Sequence, residues 1–279
     1  MSEPWMVASD LMKQYFVAKG ITWPAITASR LLTKVSVSRD HRWTRPELVK
    51  AAEDIITSAF FDVDDLAENH LGIRVDYESL EYLDEAAGSR VLGCAYPREK
   101  AVVICERTLQ YFPLYRATML HELGHILLHT NMAKRCILYT PDLAPSSPEE
   151  REANQFMHVA LLPKGLLRLA IGYLCHAYGI DIRLALCSAD SLRGRHIWKE
   201  QLFVPLVSLL AVSREMIAIK LRSQKVFSGE TVKYHKSYPL QNRWKEKQTQ
   251  ARVPQLGRVL DIVLTRAASP VQPSFVVGG

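Results

Sequence analysis

The chain has 279 residues, 48% of them hydrophobic and 23% charged, with a formal net charge of +6. That is a globular composition, long enough for one large domain or two modest ones, and it holds no apolar run of the roughly 20 residues a membrane span needs. Met1 to Trp5 lacks the basic start and apolar core of a secretory leader, and Cys94, Cys105, Cys136, Cys175 and Cys187 form no Cys-x-x-Cys pair. The expectation is a cytoplasmic protein with reduced, mostly buried thiols.

Residues 1–44 are mixed, with helical patches such as Leu11 to Phe16, and carry no evident chemistry. Thr44-Arg45-Pro46-Glu47 reads as a capping box opening a helix, with Leu48, Ala51, Ala52, Ile55, Ile56 and Ala59 at helical spacing. A short helix is predicted over 63–70, ended by Gly72, and Ile73 to Tyr77 alternates like a strand. Arg90 to Tyr96, a turn at 97–100 and Ala101 to Cys105 read as a hairpin. A strand here could offer an edge for an extended peptide, or be an ordinary sheet strand.

The run from about Tyr111 to His129 is apolar nearly all round, which marks a buried helix. It contains His121-Glu122-Leu123-Gly124-His125. Residues four apart lie one turn apart on one face, so His121 and His125 can aim two imidazoles at one metal ion. Glu122 then stands beside them as general base of a metal-assisted hydrolysis. His129, one turn further along, is too far from His121 to complete the same tetrahedral site. It is read as orienting a ligand from behind, or as a satisfied buried histidine.

After a loop-like stretch from Asn131 to Ser146, Ser147-Pro148-Glu149-Glu150 opens another helix, with Ser147 as cap and Glu150 closing a capping box. The positive helix end accounts for Glu149 and Glu150. Glu152 lies beside the face carrying Ala153, Phe156 and Ala160, where a carboxylate needs a partner; a metal would supply one. The alternative third ligand is Glu149, turned inward. Leu166 to Leu174 stays helical, and Arg193 to His196 reads as an exposed turn. Ser213 sits as a cap between two short helices over 205–222, the outline of a helix-turn-helix in which Arg214, Lys220 and Arg222 would face phosphate; the plainer reading is a helical pair packed on the core. From Lys220 to Arg258 ten basic residues face two acidic ones, an excess of +8, interleaved with Tyr234, Tyr238 and Trp244. Such a stretch suits an anionic partner, nucleic acid or an acidic protein surface.

His121 to His125 with His129, then Glu152-Ala153-Asn154-x-Phe156 and Leu161-Leu162-Pro163, resembles the ImmA/IrrE family of metallopeptidases over roughly residues 45–165 and more weakly to about 225. The departures are Met157 for the family's alanine and a Leu-Leu-Pro end without its methionine. The resemblance implies His121, His125 and Glu152 as metal ligands, Glu122 as the catalytic glutamate, and cleavage of a transcriptional repressor of helix-turn-helix type. The expected architecture is α+β: a zincin-like core with a small sheet and active-site helix at 45–165, preceded by an extension (1–44) and followed by a helical, basic region (166–260) and a tail (261–279). The expected cofactor is Zn2+, with Mn2+ also accepted by such donors. Tyr96, Tyr111, Tyr115 and His158 are candidates for stabilising the oxyanion. Rival readings are a non-cleaving DNA- or repressor-binding regulator with a structural metal, and a zinc hydrolase of small molecules.

Overall fold

The computed structural model describes residues 3–37, 46–130, 137–139, 147–181 and 196–223. The Thr44 cap, Cys136, Cys187, the turn at 193–195, the basic stretch beyond 223 and the tail lie outside the described residues. In chain order the elements are α1 (Pro4–Ala18), α2 (Pro24–Val37), α3 (Pro46–Ser58), a π-helical segment (Asp65–His70), β1 (Arg74–Glu78), α4 (Asp84–Ala87), β2 (Gly93–Tyr96) and β3 (Ala101–Cys105). There follow α5 (Phe112–Leu128), β4 (Ile137–Tyr139), α6 (Pro148–Leu161), α7 (Lys164–Ala177), α8 (Phe203–Leu210) and α9 (Arg214–Ser223). The fold is mixed α and β, as expected. No single helix among the described residues is long and apolar enough to cross a membrane.

The sheet has the order β1-β3-β2-β4, with β1 parallel to β3 and the other pairs antiparallel. Side chains alternate between its faces. Ala95, Val102 and Ile104 point into the main core, while Cys94, Val103, Cys105 and Tyr96 join a smaller cluster with Leu80 and Val91 on the other face. β3 is paired on both sides, so Val102 to Cys105 presents no edge; it is an ordinary internal strand. The small cluster is buttressed by Arg107, whose guanidinium grips both Asp84 oxygens at 2.8 and 2.7 Å and donates to the Val91 carbonyl at 2.6 Å.

One apolar cluster runs from Ala8 to Leu221. The N-terminal helices are part of it: α1 packs against α5 and α6, and α2 against α3 and α7. α5 is buried from Tyr115 to Ile126. Its Arg116, only 2% exposed, was not singled out in the sequence. Its guanidinium lies 5.0, 5.0 and 5.8 Å from the rings of Phe60, Phe61 and Phe112 and donates to the carbonyls of Leu210 (3.3 Å) and Ala211 (3.0 Å). A buried cation is tolerated there because aromatic faces and helix-terminal carbonyls both carry partial negative charge.

That contact ties the end of α8 to α5. Ser213 caps α9 as expected, its Oγ accepting from the Met216 N–H at 3.1 Å. The α8–α9 pair packs on the core through Phe203, Leu206, Leu210, Val212, Ile217 and Leu221. Lys220, a candidate for facing phosphate under the helix-turn-helix reading, is 3% exposed, its Nζ donating to the His158 carbonyl at 3.3 Å, which agrees with the plainer reading of a packed helical pair. The apolar positions flanking it on α9 turn that face inward. Arg214 lays its guanidinium over the Phe203 ring at 4.9 Å. Arg222 follows on α9.

Candidate metal centre

His121, Glu122 and His125 lie on the wholly buried middle of α5. Gly124, on the same stretch, lets α6 approach. A Cβ there would stand 3.1 Å from Ala153 Cα and 3.3 Å from Phe156 Cδ1. Ser147 caps α6, its Oγ accepting from the Glu150 N–H at 3.2 Å. Only this half of the expected capping box is seen in the Glu150 contacts, because the Glu150 side chain turns to the histidines.

Glu150 Oε2 is 3.2 Å from His121 Nε2 and Oε1 is 3.2 Å from His125 Nε2, while the two Nε2 atoms are 3.0 Å apart. Behind them, His121 Nδ1 lies 3.2 Å from Asn154 Oδ1, and His125 Nδ1 lies 3.0 Å from His129 Nδ1. With Nδ1–H of His121 donated to the amide oxygen, its Nε2 lone pair is left facing Glu150. Burial pushes the His125 pKa down, favouring the neutral imidazole that binds metals. Burial raises the Glu150 pKa; the His121 and His125 imidazoles, when their Nε2 atoms carry protons, outweigh it and bring the carboxyl to about 2. Two imidazole nitrogens and a carboxylate therefore converge within 4.8 Å of one another, a donor set that fits a divalent cation.

The structure brings together His121 and His125 as expected, but the carboxylate between them is Glu150. Glu152 instead bonds His129, Oε2 to Nε2 at 3.0 Å. Helical geometry contains the signal. With Ala153 at zero and about 100° per residue, the buried Phe156, Met157, Ala160 and Leu161 span roughly −60° to +80°. Glu150 falls at about +60°, inside that sector, and Glu152 at about −100°, outside it.

Gly93 of β2 brings the sheet against the proposed base: a Cβ there would stand 2.5 Å from Glu122 Oε1 and 2.9 Å from Thr118 Cγ2. Tyr139 of β4, which pairs with Gly93, stacks its ring on His121 at 3.9 Å. Among the oxyanion candidates, Tyr96 belongs to the cluster on the far face of the sheet, and Tyr115 is committed to Asp64 together with Tyr77. Tyr111, whose pKa burial raises to about 12, also feels the charge of Glu215. His158 lies about two turns beyond Glu150 on α6, its buried Nδ1 without a partner among the described residues. Burial, with Lys220 and His121 nearby, lowers its pKa to about 4.

A small mixed sheet backing a buried helix, with histidines one turn apart and the next carboxylate supplied by the following helix, defines the class of zincin-like metallopeptidases. The chain belongs to the peptidase M78 family: residues 70–222 match the family's model, described as the IrrE N-terminal-like domain. No curated protein and no solved structure matches the chain. Membership carries a metallopeptidase-type function and a protein substrate.

Proposed function

We propose that the protein is a metal-dependent endopeptidase that cuts a helix-turn-helix transcriptional repressor at a specific bond, with zinc as its working metal. The convergence of His121 Nε2, His125 Nε2 and the Glu150 carboxylate carries this reading. A site of imidazole and carboxylate donors binds zinc more tightly than manganese, so manganese acts where it is abundant. When bound, the metal supplies a Lewis acid that polarises the scissile carbonyl and acidifies water. Glu122 takes a proton from the attacking water and later hands it to the leaving amine. Gly93 keeps room for that carboxylate, and the burial of His121, Glu122 and His125 keeps bulk water from competing. Buried free thiols at Cys94, Cys105 and Cys175 support action in the cytoplasm.

The test is cleavage. Protein loaded with zinc, or separately with manganese, is mixed with helix-turn-helix repressors encoded beside its gene, and products are read by intact mass. One new cut that Glu122→Gln abolishes is the expected result. No cut by a protein holding stoichiometric metal would overturn the reading in favour of a binding regulator.

A further inference from the structure

Glu152, displaced from the metal by Glu150, begins a chain of hydrogen bonds that ends at the metal site. Its Oε2 is 3.0 Å from His129 Nε2, and His129 Nδ1 is 3.0 Å from His125 Nδ1. The His129 side chain is 6% exposed and that of Glu152 38% exposed, so the chain runs from the surface inward.

A carboxylate can only accept, so the proton between Glu152 and His129 sits on His129 Nε2. With its one ring proton on Nε2, His129 has a lone pair on Nδ1 and accepts there, which is the arrangement a metal on His125 Nε2 requires. In that tautomer the proton between the two rings sits on His125 Nδ1. His125 is left with its lone pair on Nε2, the atom that faces His121 and Glu150.

We infer that Glu152 and His129 are positioning residues, a carboxylate–imidazole relay that sets the tautomer and ring orientation of His125 for metal binding. The inference rests on the reading of His121, His125 and Glu150 as the metal site. It explains why two acidic residues so close in sequence are both at the centre: Glu150 contributes an oxygen to the ion, and Glu152 acts two rings away. His121 needs no such relay, because Asn154 already accepts its Nδ1 proton.

The experiment measures zinc affinity of the full chain by competition with a chromophoric chelator, with the visible spectrum of the Co2+-loaded protein as a second readout. Glu152→Ala should weaken zinc about 10- to 100-fold, the usual loss when such an outer partner is removed, with one-to-one stoichiometry retained. Glu152→Gln, which keeps an acceptor oxygen for His129, should restore most of the affinity and the Co2+ spectrum. In a His129→Gln background, the new amide oxygen can accept from His125 directly, so adding Glu152→Ala should cost little more. Thermal unfolding of each metal-free variant checks that it folds.

Unchanged affinity in Glu152→Ala would overturn the relay, as would an equal loss in both backgrounds, which marks a merely structural effect. Loss of stoichiometric binding equal to that of Glu150→Ala would instead make Glu152 a ligand. A folded wild type that takes up no zinc would overturn the metal centre itself, a result distinct from the other three.

Discussion

Gly93→Ala is the smallest change aimed at the proposed base alone. The added Cβ would lie 2.5 Å from Glu122 Oε1 and 3.0 Å from its Cδ, where ordinary van der Waals contact begins at 3.4 Å. The carboxylate must retreat by about 0.9 Å, or β2 must lift from α5, since Thr118 Cγ2 at 2.9 Å closes the other side. Overpacking of this kind costs about 1–3 kcal/mol of stability. A catalytic group displaced by about 1 Å loses roughly 100-fold in rate. None of the three proposed metal ligands is among the atoms nearest that Cβ, so zinc affinity should stay at the wild-type value. The assay is cleavage of the repressor substrate, or of casein as a general substrate, beside chelator competition and thermal unfolding. A Gly93→Ala protein that keeps metal and cuts within threefold of wild type would refute the placement of Glu122 as base.

Lys220 gives a signed pH dependence: burial lowers its pKa from 10.5 to about 8. The folded chain releases this proton before the unfolded chain does, so stability should climb between pH 8 and 10.5, by up to about 3 kcal/mol. Lys220→Met should remove that climb in urea midpoints without orphaning the His158 carbonyl, which also accepts from the Leu162 N–H at 3.1 Å. Asp84 gives a slope of the same sign at the acid end: the Arg107 guanidinium, then the Val91 N–H, hold its pKa at about 2 against 3.8 unfolded. Its contribution is complete above pH 4 and lost as pH falls towards 2, so Asp84→Asn should be less stable at neutral pH and show a flatter acid limb. Zinc at about 100 times its Kd should stabilise the fold by about 2.7 kcal/mol, seen as a rise in Tm that chelator reverses and that Glu150→Ala and His125→Ala lack. An unchanged wild-type Tm would count against a metal centre built by these residues.

Local pattern was legible wherever a single element decides the outcome. The four-residue spacing of His121 and His125 places both on one face of α5 whatever surrounds it, and the all-round apolar run announced the burial. Ser147 and Ser213 were readable as caps because a cap bonds its own helix. The hairpin of β2 and β3 followed from alternation and a turn.

What needed the tertiary structure was every choice between neighbours on one element. Pattern leaves Glu149 and Glu150 level, since Glu149, at about −40° from Ala153, lies within the buried sector as surely as Glu150. Only the way Gly124 seats α6 on α5 decides that Glu150 meets the imidazoles and Glu152 meets His129. The same holds for Lys220, which a packed helical pair buries and a helix-turn-helix exposes; its bond to the His158 carbonyl of α6 decides between them. A sequence determines which residues share a helix face, since that follows from 3.6 residues per turn; it does not determine what the face meets, since that depends on how distant elements cross.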